Sequence, residues 1–466
     1  MGPDHMTWEE FRRHGHEAID WVADYLETVG ERPVFSTVEP GAVARSIPDT
    51  PPREGEPFEA LLADLDDIVV PGITHWQSPN WFAYFPANTS PPSVLAEVVT
   101  SGLGVQGMLW STSPAATEIE SKVLDWLIDM MGLPDAWRSD GPGGGVIQMS
   151  ASDSTHTALV VARHRNRERA SAQNMVVYAS TQAHSSVVKG CTVAGIGHAR
   201  GVAVDEHWAV RSDALSAAID EDLEAGLLPI AVVSSVGTTA TTAVDPIARI
   251  AAIAQANALW HHVDAAYAGT AMVCDEFRHH IAGVDKVDSY TFNPHKWMMV
   301  NFDCNVLWVA DRAPLIDTLS ILPPYLRNAA TESGAVIDYR DWHVPLGRRF
   351  RALKLWWVLR SYGVEGIQQL VRNHVALADA LAARIVGDDR FDLFAPHPFG
   401  LVCFTHRDGN AATSDLAAAL NASGRVAVTP SELDGTTFIR VSVGQTWTAH
   451  EHIDALWDLI DELANP

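Results

Sequence analysis

Lys296 is the residue of this sequence with the clearest potential for chemistry. It follows Asn293, Pro294 and His295 and precedes an apolar run at 297–300. Because apolar surroundings disfavour the ammonium form, the neutral amine that attacks a carbonyl is easier to reach here. A lone lysine in such a setting more often extends its amine to solvent from a strand end. Lys296 is therefore a candidate nucleophile only in combination with other residues.

A carboxylate upstream provides that combination. Residues 259–264 form an apolar strand that ends on Asp264 and runs into small residues, among them Ala266. A buried carboxylate is costly unless it faces a cation. Pyridoxal phosphate has such a cation in its protonated ring nitrogen, and it forms a Schiff base with a lysine. Asp264, Lys296 and Ala266, whose methyl could lie against the ring face, together predict a pyridoxal phosphate site.

Further motifs extend this pattern along nearly the whole chain, from about Trp8. They are THWQSPNWFAYFPA, QMSASDST, QAHSS, HVDAAYAG, NPHKW, DYRDW and PLGRRFRALK. With them the chain resembles the pyridoxal-phosphate-dependent group II decarboxylases, most closely the aromatic L-amino acid decarboxylases. The resemblance implies the type I fold of pyridoxal-phosphate-dependent transferases. That fold has a large α/β domain with a mostly parallel sheet, an N-terminal helical segment and a small α+β C-terminal domain.

The resemblance also implies how the cofactor is held. Its phosphate would lie at a helix N-terminus, where free amides and the helix dipole favour an anion. From the residues alone, serines before a helix are more often caps and a lone histidine is usually structural. No GxxxxGK or GxGxxG motif supports a P-loop or dinucleotide fold. The implied cofactor-binding residues are Ser150, Ala151 and Ser152 with Asn293 at the phosphate, His184 and Ala266 on the two ring faces, Thr239 nearby, and Asp264 and Lys296.

Two more residues receive catalytic roles from the resemblance, beside Lys296 and His184. Tyr325 lies in a stretch, 319–336, that reads as an exposed loop, and the corresponding tyrosine of relatives returns a proton to the substrate's α-carbon. Relatives that release an aldehyde often lack it, so Tyr325 favours simple decarboxylation. His295 would help to place the substrate carboxylate.

An aromatic stretch at 74–86 predicts the substrate wall. Aromatic residues beside prolines can be plain core, but a flat apolar substrate also needs such a surface. The resemblance favours the wall and implies a homodimer whose neighbouring subunit reaches into the pocket. In plant relatives the position of Gly347 is glycine with indole substrates and serine with phenolic ones. The implied substrate-binding residues are Trp76, Tyr84, Phe85, Pro86, Gln106 and Met108 (the last two from the neighbour), and Gly347.

These features predict decarboxylation of an aromatic L-amino acid to its amine. Gly347 favours tryptophan or 5-hydroxytryptophan, followed by tyrosine, dopa and phenylalanine. An aldehyde synthase on the same fold is one alternative. A decarboxylase of glutamate or another charged amino acid would need an ion-pairing residue in the pocket, and none is apparent. A catalytically inactive binding protein is the third alternative.

Composition excludes several other classes. The chain has 466 residues and a formal charge of 32 − 58 = −26, which argues against nucleic acid or an anionic membrane as partner. Four scattered cysteines indicate neither a disulfide framework nor a metal site, as expected in a reducing cytoplasm. No apolar stretch could span a bilayer, and no signal peptide is apparent.

The elements that position these residues follow from local patterns. Thr7 and Glu10 have capping-box spacing and predict a helix to about Val29, whose apolar face we expect to pack into the core. Strands and helices alternate over 145–310, the pattern of a parallel sheet covered by helices. The cations at 348–354 predict a helix with a solvated basic face, ending near Tyr362. We expect an N-terminal dimer-clamp segment at 1–90, a large domain at 91–353 and a small one at 354–466.

Overall fold

The computed structural model describes residues 5–321 and 336–464, which form two sheets with covering helices. The strands are β1 Gly144–Gln148, β2 Met175–Ser180, β3 His198–Val202, β4 Leu228–Ser235, β5 Trp260–Asp264, β6 Ser289–Phe292, β7 Asn305–Val309, β8 Phe391–Leu393, β9 Leu401–His406, β10 Thr429–Leu433 and β11 Thr436–Ser442.

The helices are distributed around both sheets. They are α1 Trp8–Thr28, α2 Ala42–Ser46, α3 Phe58–Asp64, α4 Val70–Gly72, α5 Pro91–Leu103, α6 Pro114–Met131, α7 Ala151–Arg165, α8 Ser186–Ala194, α9 Ser212–Glu224, α10 Ile247–Ala256, α11 Pro294–Trp297, α12 Ala313–Leu319, α13 Ala352–Val386, α14 Asn410–Ala422 and α15 His450–Leu463. A π-helical stretch, Leu65–Val69, joins α3 to α4. Among the described residues, no helix has the length and hydrophobicity needed to cross a membrane.

The larger sheet has the strand order β1-β7-β6-β5-β4-β2-β3. The neighbours from β3 to β6 pair in parallel, whereas β7 runs antiparallel to both β1 and β6. The predicted mostly parallel sheet is therefore confirmed, with β7 as the exception in the alternating region. The register places Asp264 beside Ser235 of β4 and Thr291 of β6. The carboxyl ends of β4, β5 and β6 thus meet at one edge, where ligands bind in open α/β sheets.

The central strands are buried along their whole length, as expected for strands with both faces covered. On β2, Val177 packs with α7 and α8, while Val176 and Tyr178 pack with α9 and α10 on the opposite face. This period of two follows from the alternation of side chains along a strand. The sheet is therefore a rigid platform for residues at its carboxyl edge.

A smaller antiparallel sheet of order β10-β11-β9-β8 forms the C-terminal part. Its inner face contributes Val402, Phe404 and Ile439 to a core shared with Leu381 of α13 and Leu456 of α15. The predicted small α+β C-terminal region is confirmed.

Helix α1 begins as predicted but does not pack as predicted. The Thr7 hydroxyl accepts from the Glu10 amide at 3.2 Å, and the Glu10 carboxylate accepts from the Thr7 amide at 2.8 Å, which completes the capping box. Within α1, however, only His14 is buried, and Phe11 is 59% exposed. The expected core packing is wrong because, among residues 5–321 and 336–464, nothing packs closely enough on the apolar face of α1 to bury it. Ile19, Val22 and Leu26 instead line an open groove of about 560 Å³, with α5 and Trp447 opposite.

The basic residues at 348–354 do not form the predicted solvated face. Arg348 is buried and lies 2.6 Å from the Glu120 carboxylate of α6. Lys354 is buried and lies 3.0 Å from Glu97 of α5, which also pairs with the half-exposed Arg349. The prediction is wrong because the carboxylates that bury these cations come from helices far earlier in the chain, which local sequence does not reveal.

Helix α13 joins the two sheets. Its first helical part ends near Tyr362 as predicted, because Gly363 has non-helical backbone angles with φ at 66°, and a second helical part continues to Val386. A positive φ is accessible to glycine without the steric cost that a Cβ would add. The chain therefore changes direction at Gly363, where the first helical part of α13 ends and the second begins.

Candidate active site

A cavity of about 220 Å³ opens at the carboxyl ends of β4, β5 and β6. Every predicted cofactor-binding residue lies in its lining, together with His295 and Phe85. The full lining is Phe85, Ser150, Ala151, Ser152, His184, Ser235, Gly237, Thr238, Thr239, Asp264, Ala266, Tyr267, Asn293, His295, Lys296 and Phe302.

Lys296 enters the cavity from α11, a single helical turn directly after β6. Pro294 occupies the first turn, where its missing N–H costs nothing, and the Lys296 amide donates to the Asn293 carbonyl at 3.0 Å. The Lys296 amine lies 5.4 Å from the centre of the Phe85 ring. Burial lowers the pKa of Lys296, the charge of Asp264 opposes that shift, and Arg440 adds to it. The neutral amine is consequently more accessible than that of a solvated lysine.

Asp264 terminates β5 on the floor of the cavity and is only 9% exposed. One carboxylate oxygen accepts from the Ala266 amide at 3.0 Å. Within residues 5–321 and 336–464, no lysine, arginine or histidine nitrogen forms an ion pair with this carboxylate at 4.0 Å or less. A buried carboxylate without a cationic partner is costly, so Asp264 is suited to a cation that enters with a ligand.

The N-terminus of α7 forms the opposite end of the cavity. Ser150 caps the helix, with its hydroxyl accepting from the Asp153 amide at 3.2 Å. Asn293 is oriented by Asn305, whose side-chain amide donates to Oδ1 of the Asn293 side chain at 2.7 Å. The Asn293 amino group therefore remains available to an acceptor. Helix amides, serine hydroxyls and this amino group are a donor set for a phosphate.

His184 and Ala266 both line the cavity, as their predicted positions on a cofactor ring require. The Nδ1 of His184 accepts from the Ser186 amide at 3.2 Å, so the ring proton belongs on Nε2. Desolvation lowers the pKa of His184, partly offset by Asp264, and Lys296 lowers it further. A neutral ring can lie flat on an aromatic group without bringing a second charge into the cavity.

His295 is buried beside Lys296. Its Nδ1 accepts from the Cys304 amide at 2.9 Å, which places the ring proton on Nε2. Burial, with a further contribution from Lys296, lowers the pKa of His295 to about 3. His295 can thus act as a neutral hydrogen-bond donor and not as a cation.

The predicted substrate residues are less closely gathered. Of the aromatic stretch, only Phe85 reaches the cavity, whereas Trp76 and Tyr84 are 37% and 55% exposed and stack on each other at 5.7 Å. Pro86 is buried and lies against Gly444, just after the end of β11.

The remaining predicted positions lie outside the cavity lining. The side-chain oxygen of Gln106 accepts from the Arg348 amide at 2.6 Å, next to the exposed Gly347. The Met108 carbonyl accepts from the Arg340 amide at 3.0 Å. Tyr325 lies outside the described residues, so its predicted role stays a prediction.

Sequence reasoning missed several lining residues. Tyr267 is fully buried and stacks between Phe85, at 3.9 Å, and Trp297, at 4.8 Å. Phe302 is 65% exposed and its ring lies 4.6 Å from that of His295. Tyr267 lies within the HVDAAYAG motif and Phe302 follows the NPHKW motif by five residues, so their proximity in sequence to Asp264 and Lys296 was the available signal.

The donor set of the cavity fits pyridoxal phosphate. A desolvated amine matches its aldehyde, an unpaired buried carboxylate matches its protonated ring nitrogen, and a helix N-terminus matches its phosphate. Lys296, Asp264 and Ser150–Ser152 supply these groups from separate elements of one chain.

Comparison with known proteins agrees with this fit. The family model described as pyridoxal-dependent decarboxylase conserved domain matches residues 40–407. Tryptophan decarboxylase 2 of Oryza sativa subsp. japonica is 42% identical, with 98% of this chain and 95% of that protein covered. Phenylacetaldehyde synthase of Arabidopsis thaliana is also 42% identical, with 99% and 97% covered. The crystal structure of Oryza sativa TDC with PLP and tryptamine has a TM-score of 0.97 and 38% identity, covering 99% of both chains.

Proposed function

We propose that this chain, which belongs to the pyridoxal-dependent decarboxylase family, converts an aromatic L-amino acid to its amine and carbon dioxide. The observation that carries the proposal is the convergence of Lys296, Asp264 and the α7 N-terminus on one cavity. Pyridoxal phosphate, when bound, supplies an electron-withdrawing ring that accepts the electron pair released by loss of the carboxyl group.

Each cofactor-binding residue has a distinct task in this proposal. Lys296 holds the cofactor covalently through its neutral amine, and Asp264 keeps a proton on the ring nitrogen. The α7 N-terminus, with Asn293, binds the phosphate, while His184 and Ala266 confine the ring from its two faces. Thr239 completes the wall at the end of β4.

The substrate is held by residues around the same cavity. His295 donates a hydrogen bond from Nε2 toward the carboxyl group that leaves, since its Nδ1 is already engaged. Phe85 and Tyr267 present aromatic surface. Tyr325 returns a proton to the α-carbon as general acid, in agreement with the sequence prediction.

An aromatic substrate fits the cavity better than an acidic one. Among the described lining residues Lys296 is the only lysine or arginine, and its amine is assigned to the cofactor. A glutamate-type substrate would leave its second carboxylate unpaired in a largely buried site. Gly347 favours tryptophan or 5-hydroxytryptophan among the aromatic candidates, and tryptophan decarboxylase 2 is a relative at 42% identity.

A second candidate function is aldehyde formation on the same scaffold. Its support is the phenylacetaldehyde synthase of Arabidopsis thaliana, as similar to this chain as the decarboxylase is. Retention of Tyr325 favours the amine, because the proton it returns to the α-carbon completes a simple decarboxylation.

One assay decides between these functions. The enzyme loaded with pyridoxal phosphate is supplied with tryptophan, 5-hydroxytryptophan, tyrosine, dopa, phenylalanine or glutamate, and amine, carbon dioxide, aldehyde and peroxide are measured. We expect equal amounts of amine and carbon dioxide from an aromatic amino acid. Aldehyde with peroxide would favour the second candidate, and turnover of glutamate alone would contradict the aromatic proposal.

We also propose that the chain works as a homodimer. Ile19, Val22 and Leu26 are only half-buried along the open groove of α1, and contiguous apolar surface of this kind commonly marks an interface. Gln106, Met108 and the exposed Trp76 would then complete the pocket across that interface. Sedimentation velocity, with the charged variant Leu26→Glu as a comparison, tests this: the variant is expected to shift the dimer toward monomer, and an unchanged dimer would contradict the role of α1.

The expected compartment is the cytoplasm. All four cysteines are unpaired and buried, and burial raises the pKa of each thiol. Buried neutral thiols are inert and typical of a reducing compartment. Fractionation of the source cells would test this placement.

A further inference from the structure

The segment 301–304, directly after the Lys296 turn, is held at both of its ends. The Asn301 amide donates to the hydroxyl of the buried Ser93 at 2.8 Å, and the Ser93 hydroxyl in turn bonds the Asn301 side chain. At the other end, the Cys304 amide donates to Nδ1 of His295 at 2.9 Å. The backbone between these points carries the exposed ring of Phe302 into the cavity lining.

An ion pair fixes the middle of the same segment. The guanidinium of Arg351, just before α13, makes two hydrogen bonds to the Asp303 carboxylate, at 3.2 and 3.0 Å. Both side chains are largely buried. Paired, parallel N–H···O bonds of this kind restrict orientation as well as distance. Asp303 is thereby tied to the start of α13. That helix is distant in sequence from both the Lys296 turn and β7.

The consequence for the cavity follows from chain connectivity. Phe302 and Asp303 are adjacent, so a fixed Asp303 carboxylate limits where the Phe302 ring can lie. Cys304 follows, and its amide determines which nitrogen of His295 carries the proton. The ion pair therefore acts on two groups that face the substrate without touching the substrate itself.

We propose that the Arg351–Asp303 ion pair is a positioning device that holds Phe302 against the substrate ring and His295 in its donor orientation. The part that concerns substrate rests on the proposed decarboxylation. The part that concerns the 301–304 backbone does not, because it can be measured without substrate.

The variants alter the ion pair from each of its two sides, and Asp303→Asn does so without changing side-chain size. Asp303→Asn and Arg351→Gln each break the ion pair, and the variant with both changes completes a double-mutant cycle. Arg351→Lys keeps the positive charge but cannot make the two parallel hydrogen bonds of a guanidinium. The matched control is Asp392→Asn, which breaks the doubly hydrogen-bonded but exposed pair with Arg407 in the C-terminal sheet.

Kinetics provide the first measurement. A loosened wall weakens binding of the aromatic ring more than it slows the bond-breaking step, so KM for the best aromatic substrate is expected to rise roughly tenfold in Asp303→Asn, with a smaller change in kcat. Arg351→Lys should recover part of that loss. The double variant should lose about as much as either single variant, since both remove the same contact.

Amide hydrogen exchange provides the second measurement, on the cofactor-loaded enzyme without substrate. Peptides that contain Asn301 and Cys304 are expected to exchange faster in Asp303→Asn and Arg351→Gln, and to be unchanged in Asp392→Asn. Unchanged exchange at these amides together with unchanged KM would overturn the proposal. If the wild-type enzyme turned over no aromatic amino acid, the proposed function would fail, and exchange alone would decide the positioning claim.

Should Asp303→Asn fold too poorly to purify, the milder Arg351→Lys variant carries the test. Faster exchange with raised KM in that variant supports the proposal, and wild-type values for both contradict it.

Discussion

The two halves of the candidate site are built in different ways. The cofactor half (Lys296, Asp264, Ser150–Ser152, His184 and Asn293) is assembled at strand ends and a helix N-terminus, and all of it lines one cavity. Five of the predicted substrate-binding positions, called here the substrate half, lie outside that cavity, with Trp76 and Tyr84 exposed: Trp76, Tyr84, Gln106, Met108 and Gly347. Phe85, by contrast, lines the cavity. We infer that one chain suffices to hold the cofactor, whereas recognition of the substrate requires a second surface.

The largest effect is expected at the covalent anchor of the cofactor half. Lys296→Ala should reduce amine release by at least about a thousandfold, because the covalent anchor is removed. The control Lys189→Ala changes an exposed lysine of α8 and should leave the rate unchanged. Borohydride reduction followed by peptide mapping should label Lys296 in the wild type. Label on another lysine would contradict the assignment.

Loss of the unpaired carboxylate should have the next largest effect. Asp264→Asn leaves a buried ring cation without its partner, at a cost of about 3–5 kcal/mol by analogy with broken buried pairs. At about 1.4 kcal/mol per tenfold, the rate should fall at least a hundredfold if this cost falls on the transition state. Steady-state amine release measures it, with the exposed Asp220→Asn as control. A rate near that of the wild type would show that the ring nitrogen is not protonated by Asp264.

Buried histidines of β5 and α13 should make folding stability depend on pH. Burial lowers the pKa of His261 to about 3 and those of His262 and His374 to about 4. Because these folded-state values lie below the ordinary value of 6.5, the stability they contribute is present above pH 6.5 and is lost as pH falls toward 4. Each such histidine contributes up to about 1.4 kcal/mol per pH unit in that window.

Urea unfolding between pH 7.5 and 5 tests this dependence. The free energy of unfolding should depend less steeply on pH in His374→Gln, by the contribution of one proton. In the exposed His16→Gln the dependence on pH should be unchanged. Equal slopes in His374→Gln and the wild type would mean that His374 is not buried as a neutral ring.

Partial recovery of activity in mixed dimers tests the substrate half. If Met108 completes the pocket of the neighbouring subunit, Lys296→Ala and Met108→Arg chains should each be inactive alone. A mixed population should recover about a quarter of wild-type activity, because half of the dimers are hybrids with one intact site. Activity is measured after the two variants are co-expressed. If mass spectrometry demonstrates hybrid dimers but activity does not recover, Met108 contributes to the site of its own chain or to neither site.

Sequence reasoning served the two halves unequally. Asp264 and Lys296 could be predicted to lie together because a carboxylate at a strand end, a small residue and a downstream lysine are far more specific in combination than any one of them alone. The capping box of Thr7 and Glu10 is equally local, and it is present as predicted.

The wrong or missed predictions share one physical cause: the residues that pair with these side chains, or pack against them, are distant in sequence. Arg348 and Lys354 looked solvated because Glu120 and Glu97 come from helices far upstream. The α1 face looked like core because apolar spacing does not say which chain will cover it. Phe302 was missed although it follows NPHKW, because the Arg351–Asp303 ion pair beside it joins residues that are far apart in sequence.

Helix α13 has a practical consequence for dissecting this enzyme. It starts directly after Arg351, whose guanidinium donates to Asp303 in the segment that follows Lys296. It ends shortly before β8 of the smaller sheet. The predicted domain boundary at 353/354 falls in its first turn. A cut at that boundary would fall within the first helical part of α13, and a break before residue 352 would leave α13 with one fragment and Arg351 with the other. Fragment complementation should instead keep residues 348–386 undivided.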